Sequence, residues 1–328
     1  MSNKQQVNVK ASIRKNKSGK LVNVKAYSRK QDKKNLINRA KNVGLGFAAT
    51  LGLSVTTYAL FRAKYRAGFT KRAKQAFDRS LEIEKQLKSK VVGDGLDSTQ
   101  LKLIQRTLKQ GKSDKFHFVV GGMDGFGKSS LLITKGTKND TKLQDLIDDD
   151  FIPFLNFKHQ TKYKGLPEKK LTEELKKGVL DMYAFFRTGL KQGGHPDAQE
   201  LAAYIMAVNR MHPEKQIRIT GLSGGGVIAA ETLELLNNAE KQNLFKPKTM
   251  VKSLNIATPY AGITKLSSKQ LITVGSKGDL VNNLFPSQNR KQIDDSKGHL
   301  VFAMPERGET GYFNSKQFQK IYKDFFND

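Results

Sequence analysis

Residues 200–226 read ELAAYIMAVNRMHPEKQIRITGLSGGG, and this stretch decides the fold. Between Pro196 and Met211 the apolar side chains recur at helical spacing, which predicts an amphipathic helix. Ile217 to Thr220 is a short β-rich run, and VIAAETLELL at 227–236 predicts a second helix. The sequence therefore predicts a helix, a strand, a tight glycine-rich turn and another helix in succession.

Similar apolar runs occur before and after this stretch. They are FHFVV at 116–120, VKSLNIA at 251–257 and LITV at 271–274. Strands that alternate with helices predict a mostly parallel sheet flanked by helices. We therefore expect an α/β fold over residues 113–328.

The turn itself contains a G-x-S-x-G motif, Gly221-Leu222-Ser223-Gly224-Gly225. A nucleophilic serine on a strained strand-to-helix turn needs small flanking residues, because bulk would clash with the adjacent strand and helix. The amide of Gly224 would lie at a helix N-terminus, where it can face an oxyanion. A structural turn with an inert serine is the alternative. Residues 224–229 also fit a loose dinucleotide-binding pattern, but the next apolar run has no acidic residue to hold a ribose.

The order of these segments resembles that of lipase-like α/β hydrolases, and the resemblance covers residues 113–328. ATPYAG at 257–262 is similar to the G-T-P-H-x-G loop of that family, with the first Gly and the His replaced. GDLV at 278–281 matches the turn that carries the acid, and Gly298-His299 matches the late G-H that carries the base. The resemblance implies an α/β-hydrolase fold and an esterase-like or lipase-like serine hydrolase of carboxylic esters.

The family order is nucleophile, acid and then histidine along the chain. His299 is the only histidine after Ser223, and Asp279 lies between the two. The resemblance thus implies a triad of Ser223, Asp279 and His299. Asp294 and Asp295 are alternative acids, although no clear strand precedes them. Asp279 alone also fits a turn-forming aspartate, and His299 alone fits a loop histidine.

The resemblance further implies an oxyanion hole, in which the amide of Met123, in the loop after FHFVV, joins that of Gly224. Ser223 would attack the carbonyl carbon, His299 would take its proton, and Asp279 would fix the imidazole tautomer. This chemistry needs no cofactor and no metal.

The same loop contains a competing motif. Gly122 to Ser129 reads GMDGFGKS, a complete G-x-x-x-x-G-K-[ST] phosphate-binding pattern. The backbone from Gly122 to Gly127 could surround phosphates, with Lys128 on their outer oxygens and Ser129 on Mg²⁺. The helix that should follow is interrupted by Gly136, and no apolar strand ends directly in an aspartate for Mg²⁺. A P-loop nucleotide hydrolase is therefore the alternative enzyme, and a non-catalytic anchoring protein with a hydrolase-like fold is a third interpretation.

The N-terminal segment is strongly basic. Its first 75 residues hold 19 Lys or Arg and one acid, Asp32, and so carry +18 of the formal charge of +28. This excess points to an anionic partner, either lipid headgroups or nucleic acid. VNVKASIRK at 7–15 recurs as VNVKAYSRK at 22–30, which fits either a basic β-hairpin or a disordered Lys-rich arm. The chain has no cysteine, which excludes disulfides and thiolate metal sites.

Residues 42–61 carry no charge, and their length matches a bilayer core, which predicts a transmembrane helix. A buried or surface-lying helix is the alternative. Gly44, Ala48 and Gly52 recur every four residues and would allow self-association through close helix packing. Seven basic residues lie on each side of the run, so its orientation is not indicated.

The predicted organisation has four parts. A basic segment (1–41) precedes a transmembrane helix (42–62), a helical stalk (63–112) and an α/β-hydrolase domain (113–328). The chain would then be a single-pass, membrane-associated enzyme acting on an ester or lipid substrate.

Overall fold

The computed structural model describes residues 5–9, 12–15, 21–24, 27–31, 62–89, 96–122, 143–155, 193–258, 266–276, 289–293 and 310–327. The described elements fall into two compact units. One comprises the strands within residues 1–50, and the other comprises the elements after residue 50.

The N-terminal unit is built from strands of the repeated sequence. These are β1 (Gln5–Val9), β2 (Ser12–Lys15), β3 (Leu21–Val24) and β4 (Tyr27–Gln31). β1 pairs antiparallel with β4, and β2 pairs antiparallel with β3. The two pairs share the same antiparallel register along the chain. Val9 lies opposite Tyr27, and Ser12 lies opposite Val24. The two copies of the repeat thus pair with each other, and the hairpin is the alternative that the structure adopts.

The second unit contains a six-stranded parallel sheet. Its strands are β5 (Lys115–Val120), β6 (Asp150–Phe154), β7 (Gln216–Leu222), β8 (Lys252–Ile256), β9 (Leu271–Ser276) and β10 (Arg290–Ile293). The spatial order is β10-β9-β8-β7-β5-β6, and every neighbouring pair is parallel. The carboxyl ends of all six strands therefore lie along one edge. The predicted α/β fold with a parallel sheet is confirmed.

Helices cover the sheet on both faces. They are α1 (Arg62–Lys88), α2 (Leu96–Gln110), α3 (Pro196–Met211), α4 (Gly224–Lys241), α5 (Thr310–Asn314) and α6 (Lys316–Asn327). On one face α1, α3 and α4 pack together, and α4 lies against β7 and β8. On the other face Phe318, Tyr322 and Phe326 of α6 pack with Val119, Leu222 and Ile272 of the sheet. The aromatic spacing of four residues along α6 places these rings on one helical stripe.

The helices of the segment predicted as a stalk are joined to this layered unit. Ala73, Ala76 and Ile83 of α1 are fully buried, and α1 packs along α3 and α4. Arg210 of α3 donates to Glu84 (2.7 Å) of α1. Helix α1 therefore contributes apolar core and an ion pair to the helical layer.

No helix among the described residues is long and apolar enough to cross a bilayer. The uncharged run 42–61, with Gly44, Ala48 and Gly52, lies outside the described residues. The transmembrane helix therefore stays a prediction.

Candidate active site

Ser223 forms the turn between β7 and α4. The strand ends at Leu222 and the helix begins at Gly224, so this one residue reverses the chain. Its backbone has φ 52° and ψ −121°, which residues with a side chain rarely adopt. The Ser223 N–H donates to the carbonyl of Ile256 on β8 (2.8 Å), and its own carbonyl accepts from the N–H of Gly226 (3.0 Å). The turn is thus tied to β8 and closed by the first turn of α4.

Glycines make this tight turn possible. A Cβ on Gly221 would lie 2.5 Å from the Cα of Gly226. One on Gly225 would lie 2.3 Å from the carbonyl oxygen of Gly121 and 2.4 Å from that of Val120. A side chain at either position would push α4 away from β7 or from the end of β5. The steric requirement inferred from the sequence is confirmed at both positions.

The hydroxyl of Ser223 is not used to cap α4. A serine before a helix usually accepts a hydrogen bond from an amide of the first turn, but Ser223 makes no side-chain cap hydrogen bond. The first amides of an α-helix have no partner within it and lie at the positive end of its dipole. When a hydroxyl next to such amides attacks a carbonyl carbon, the amides can stabilise the oxyanion of the tetrahedral intermediate. Ser223 is nearly enclosed, with 4% of its surface exposed.

The structure describes part of the predicted site. Ser223 and Gly224 are adjacent at the turn, and Gly122 follows β5 by two residues. Outside the described residues lie Met123, Asp279, His299, the alternative acids Asp294 and Asp295, and Gly127, Lys128 and Ser129 of the phosphate-binding pattern. Within the described residues, no three His, Asp or Glu side chains gather as metal ligands.

Sequence reasoning missed Asn255, a buried residue on β8. Its Nδ2 donates to the carbonyl of Gly226 in the first turn of α4 (2.8 Å). The available signal was a polar residue in the middle of the apolar run VKSLNIA. Two residues further on, Ala257 adopts φ 50°. Glycine adopts such a backbone conformation without strain, whereas alanine does not.

A second polar cluster lies on the α6 face of the sheet. His117 of β5 contacts Asp149 through Nδ1 (2.9 Å) and Thr220 through Nε2 (2.8 Å). Tyr322 of α6 lies 3.0 Å from the hydroxyl of Thr220. Arg218 donates to both carboxylate oxygens of Asp149 (2.9 and 3.0 Å). The cluster therefore joins β5, β7 and α6.

The protonation states in this cluster follow from burial and charge. Burial lowers the pKa of His117 and outweighs the opposing effect of Asp149. Burial disfavours ionisation of Asp149, but its contacts with His117 and Arg218 prevail and lower the pKa of the carboxyl. Neutral His117 then donates a hydrogen bond from Nδ1 to the carboxylate and accepts one at Nε2 from the Thr220 hydroxyl. Burial raises the pKa of Tyr322 well above its usual value, so its phenol stays protonated and donates to Thr220.

This Asp–His–Thr arrangement resembles a catalytic relay, but its position excludes that role. His117 and Thr220 are fully buried, and the rings of Tyr322 and Phe326 pack against His117. His117 lies in the middle of β5, and the Thr220 side chain, three residues before Ser223, lies against Tyr322 of α6 and not at the carboxyl edge of the sheet. The cluster holds the C-terminal helix on the sheet.

Comparison with known protein families, curated proteins and solved structures gives no match for this chain. The α/β fold is therefore shown by the strand order and strand directions of the sheet alone.

Proposed function

We propose that this chain is a membrane-anchored serine hydrolase that cleaves an ester or a related acyl bond, with Ser223 as its nucleophile. The backbone of Ser223 carries the proposal, with its φ of 52° at a strand-to-helix turn. Such a conformation costs about 1–3 kcal/mol in a residue with a side chain and persists where surrounding structure imposes it. A serine held in this way at the carboxyl edge of a parallel sheet is the arrangement of a nucleophile elbow.

The sheet topology supports the roles of Asp279 and His299. Adjacent strands lie about 4.8 Å apart, so β9 and β10 are roughly 10 Å and 14 Å from β7. Asp279 follows the end of β9 by three residues, and His299 follows the end of β10 by six. An extended chain covers up to about 3.5 Å per residue, which is enough for both to reach Ser223. Both residues also follow strands that end at the same edge.

The contact between α4 and the end of β5 supports the proposed oxyanion hole. Gly225 lies so close to the carbonyls of Val120 and Gly121 that no Cβ fits between them. The loop after β5 therefore begins against the first turn of α4. Met123 follows Gly121 by two residues, and its amide would join that of Gly224 in binding the oxyanion.

The mechanism is acyl transfer. His299 removes the proton of Ser223 as the oxygen attacks the carbonyl carbon, and Asp279 stabilises the imidazolium. His299 then gives the proton to the leaving alcohol as the acyl group stays on Ser223. Water next attacks the carbonyl of this acyl-enzyme while His299 takes its proton, and His299 returns the proton to the Ser223 oxygen as the acid is released. The basic segment and residues 42–61 would hold the enzyme at an anionic membrane, with nucleic acid as the other possible partner of the basic segment.

A fluorophosphonate probe tests this proposal, because it reacts with activated serines whatever the natural substrate. The full chain should be labelled, and Ser223→Ala should abolish labelling. Ser129→Ala is the matched control and should keep it. Labelling that survives in Ser223→Ala would refute the assignment of the nucleophile.

The alternative P-loop function is tested by nucleotide binding. A ligand stabilises only a state that it binds, so ATP or GTP with Mg²⁺ should leave the melting temperature unchanged. Nucleotide-dependent stabilisation that is lost in Lys128→Ala would favour a nucleotide hydrolase instead.

A further inference from the structure

The start of α4 poses a physical problem for catalysis. Gly224, Gly225 and Gly226 form its first turn, and glycine is the residue with the greatest backbone freedom. Yet an oxyanion donor must be held within about 0.5 Å of its productive position. Some contact must therefore replace the stiffness that side chains would give to this turn.

We propose that Asn255 is a positioning residue that orders the oxyanion-binding turn of α4 by donating to the carbonyl of Gly226. The inference rests on the proposed hydrolase function. Asn255 would not touch the substrate. It acts through Gly226 on the orientation of the Gly224 amide, two residues earlier in the same helical turn.

The geometry around Asn255 is specific. Its side chain is fully buried, and Nδ2 lies 2.8 Å from the carbonyl oxygen of Gly226. Its Oδ1 accepts from the hydroxyl of Ser253 (3.0 Å), which is also buried. A carbonyl can only accept, so the contact with Gly226 fixes which end of the amide is the nitrogen. The hydroxyl of Ser253 holds the other end.

The strand register explains why Asn255 can reach α4. Asn255 lies opposite Gly221 in the β7–β8 pairing, on the same face of the sheet. Because Gly221 has no side chain, the first turn of α4 descends onto this part of the sheet. The carboxamide of Asn255 then reaches the carbonyl of Gly226 directly.

Gly226 is the point at which several restraints meet. Its N–H donates to the carbonyl of Ser223 (3.0 Å), and its carbonyl accepts from Asn255. A Cβ on Gly226 would lie 1.9 Å from the Oγ1 of Thr258, so Thr258 closes its remaining side. The peptide groups on both sides of Gly226 are thereby restrained. Removing the Asn255 donor would release the carbonyl side and leave this buried acceptor with one fewer partner.

A second amide contact on α4 provides a matched control. Asn237, near the other end of the helix, exchanges two hydrogen bonds with Gln270 just before β9 (3.1 and 2.7 Å). It ties the same helix to the sheet about 20 Å from Ser223, at 1.5 Å of rise per residue. Asn255→Asp and Asn237→Asp make the same chemical change, the first at a residue that contacts the start of α4 and the second at a residue near its end.

The experiment measures fluorophosphonate labelling rates and hydrolysis of p-nitrophenyl butyrate by the full chain. Asn255→Asp should lower kcat and the labelling rate about 10- to 100-fold, as loss of supporting contacts around a site does. KM should stay within about twofold, because the acyl group does not touch Asn255. Asn237→Asp should keep kcat within about threefold of wild type, even if its melting temperature falls as much as that of Asn255→Asp.

The pH profile separates positioning from general damage to the fold. A carboxylate at position 255 cannot donate to Gly226, but a protonated carboxyl can. The labelling rate of Asn255→Asp relative to wild type should therefore rise as the pH falls from 8 towards 5.5. If the buried carboxylate prevents folding, Asn255→Ala gives the same kcat comparison without a new charge.

The outcomes are distinct. Equal kcat values for Asn255→Asp, Asn237→Asp and wild type would overturn the positioning role while leaving Ser223 as the nucleophile. A rise in KM without a fall in kcat would also overturn it. Absence of labelling in the wild-type chain would instead remove the proposed hydrolase function, and the role of Asn255 with it.

Discussion

Replacing Gly225 by alanine tests how closely α4 must approach β5. The new Cβ would lie 2.3 Å from the carbonyl oxygen of Gly121 and 2.4 Å from that of Val120. Both are backbone atoms and cannot swing aside, and an ordinary contact needs about 3.4 Å. The start of α4 must therefore move by roughly 1 Å. A displacement of that size at a catalytic group lowers the rate about 100-fold, and overpacking costs about 1–3 kcal/mol of stability.

The measurements are the fluorophosphonate labelling rate of Ser223 and thermal unfolding by circular dichroism. Gly225→Ala should label about 100-fold more slowly and unfold several degrees lower, at about 2–4 °C per kcal/mol for a domain of this size. Gly68→Ala in α1 is the control, because its Cβ would meet nothing closer than 3.4 Å. It should gain up to about 1 kcal/mol of helix stability and label normally. Wild-type labelling and melting for Gly225→Ala would refute the close approach on which the proposed site depends.

Three further predictions concern stability. Ala257→Gly should change the free energy of unfolding in urea denaturation by less than about 1 kcal/mol, because relief of the strain at φ 50° offsets the loss of a fully buried methyl group; a loss above about 2 kcal/mol would show that this strain is absent. Asp149→Asn should cost about 3–5 kcal/mol, since it leaves Arg218 buried without its counter-charge. The exposed neighbour Asp148→Asn should cost under about 0.5 kcal/mol, and equal values would contradict the buried pair. Acid should also destabilise the fold: the lowered pKa of His117 means that below about pH 6.5 the unfolded chain binds a proton that the folded chain does not. The free energy of unfolding should then fall by up to about 1.4 kcal/mol per pH unit, a slope that His117→Gln should reduce.

The central part of the fold could be predicted from sequence because its segments have strong local signals. Helix α3 begins at Pro196 and ends at Met211, as the apolar spacing and the N-terminal proline predict. The four strands β5, β7, β8 and β9 coincide with the apolar runs recognised in the sequence to within one residue at most ends. Buried strands of a parallel sheet are apolar on both faces, so they are conspicuous.

The two strands that were missed lie at the edges of the sheet. β6 contains Pro153, which lacks a backbone donor and is tolerated where one side of a strand is unpaired. β10 reads RKQI, with one apolar residue in four. β6 is apolar, with Ile152 and Phe154 fully buried, so Pro153 is the residue that argues against a strand there. β10 has a single buried residue, Ile293, and therefore does not need the apolar pattern that identifies the central strands.

The candidate site also has one part that the sequence indicates and another that only the structure shows. The turn at Ser223 could be predicted because its sequence signal lies within six consecutive residues, 221–226. The hydrogen bond from Asn255 to Gly226 could not, because the two residues are 29 positions apart and the contact depends on the β7–β8 register. The link between His117 and Asp149 was hidden for the same reason, since it joins the middle of β5 to residues just before β6.

The glycines of the β7–α4 turn have a consequence for the history of this sequence. Gly221, Gly225 and Gly226 each contact neighbouring atoms at distances that leave no room for even a methyl group. Replacing any one of the three, even by alanine, would displace the start of α4 and weaken the fold, so selection for this fold acts against each change. A descendant that had lost every other trace of common ancestry would still carry G-x-S-x-G-G after a short apolar strand. Facing the first of those glycines, one strand further on, it would keep a residue able to donate a hydrogen bond.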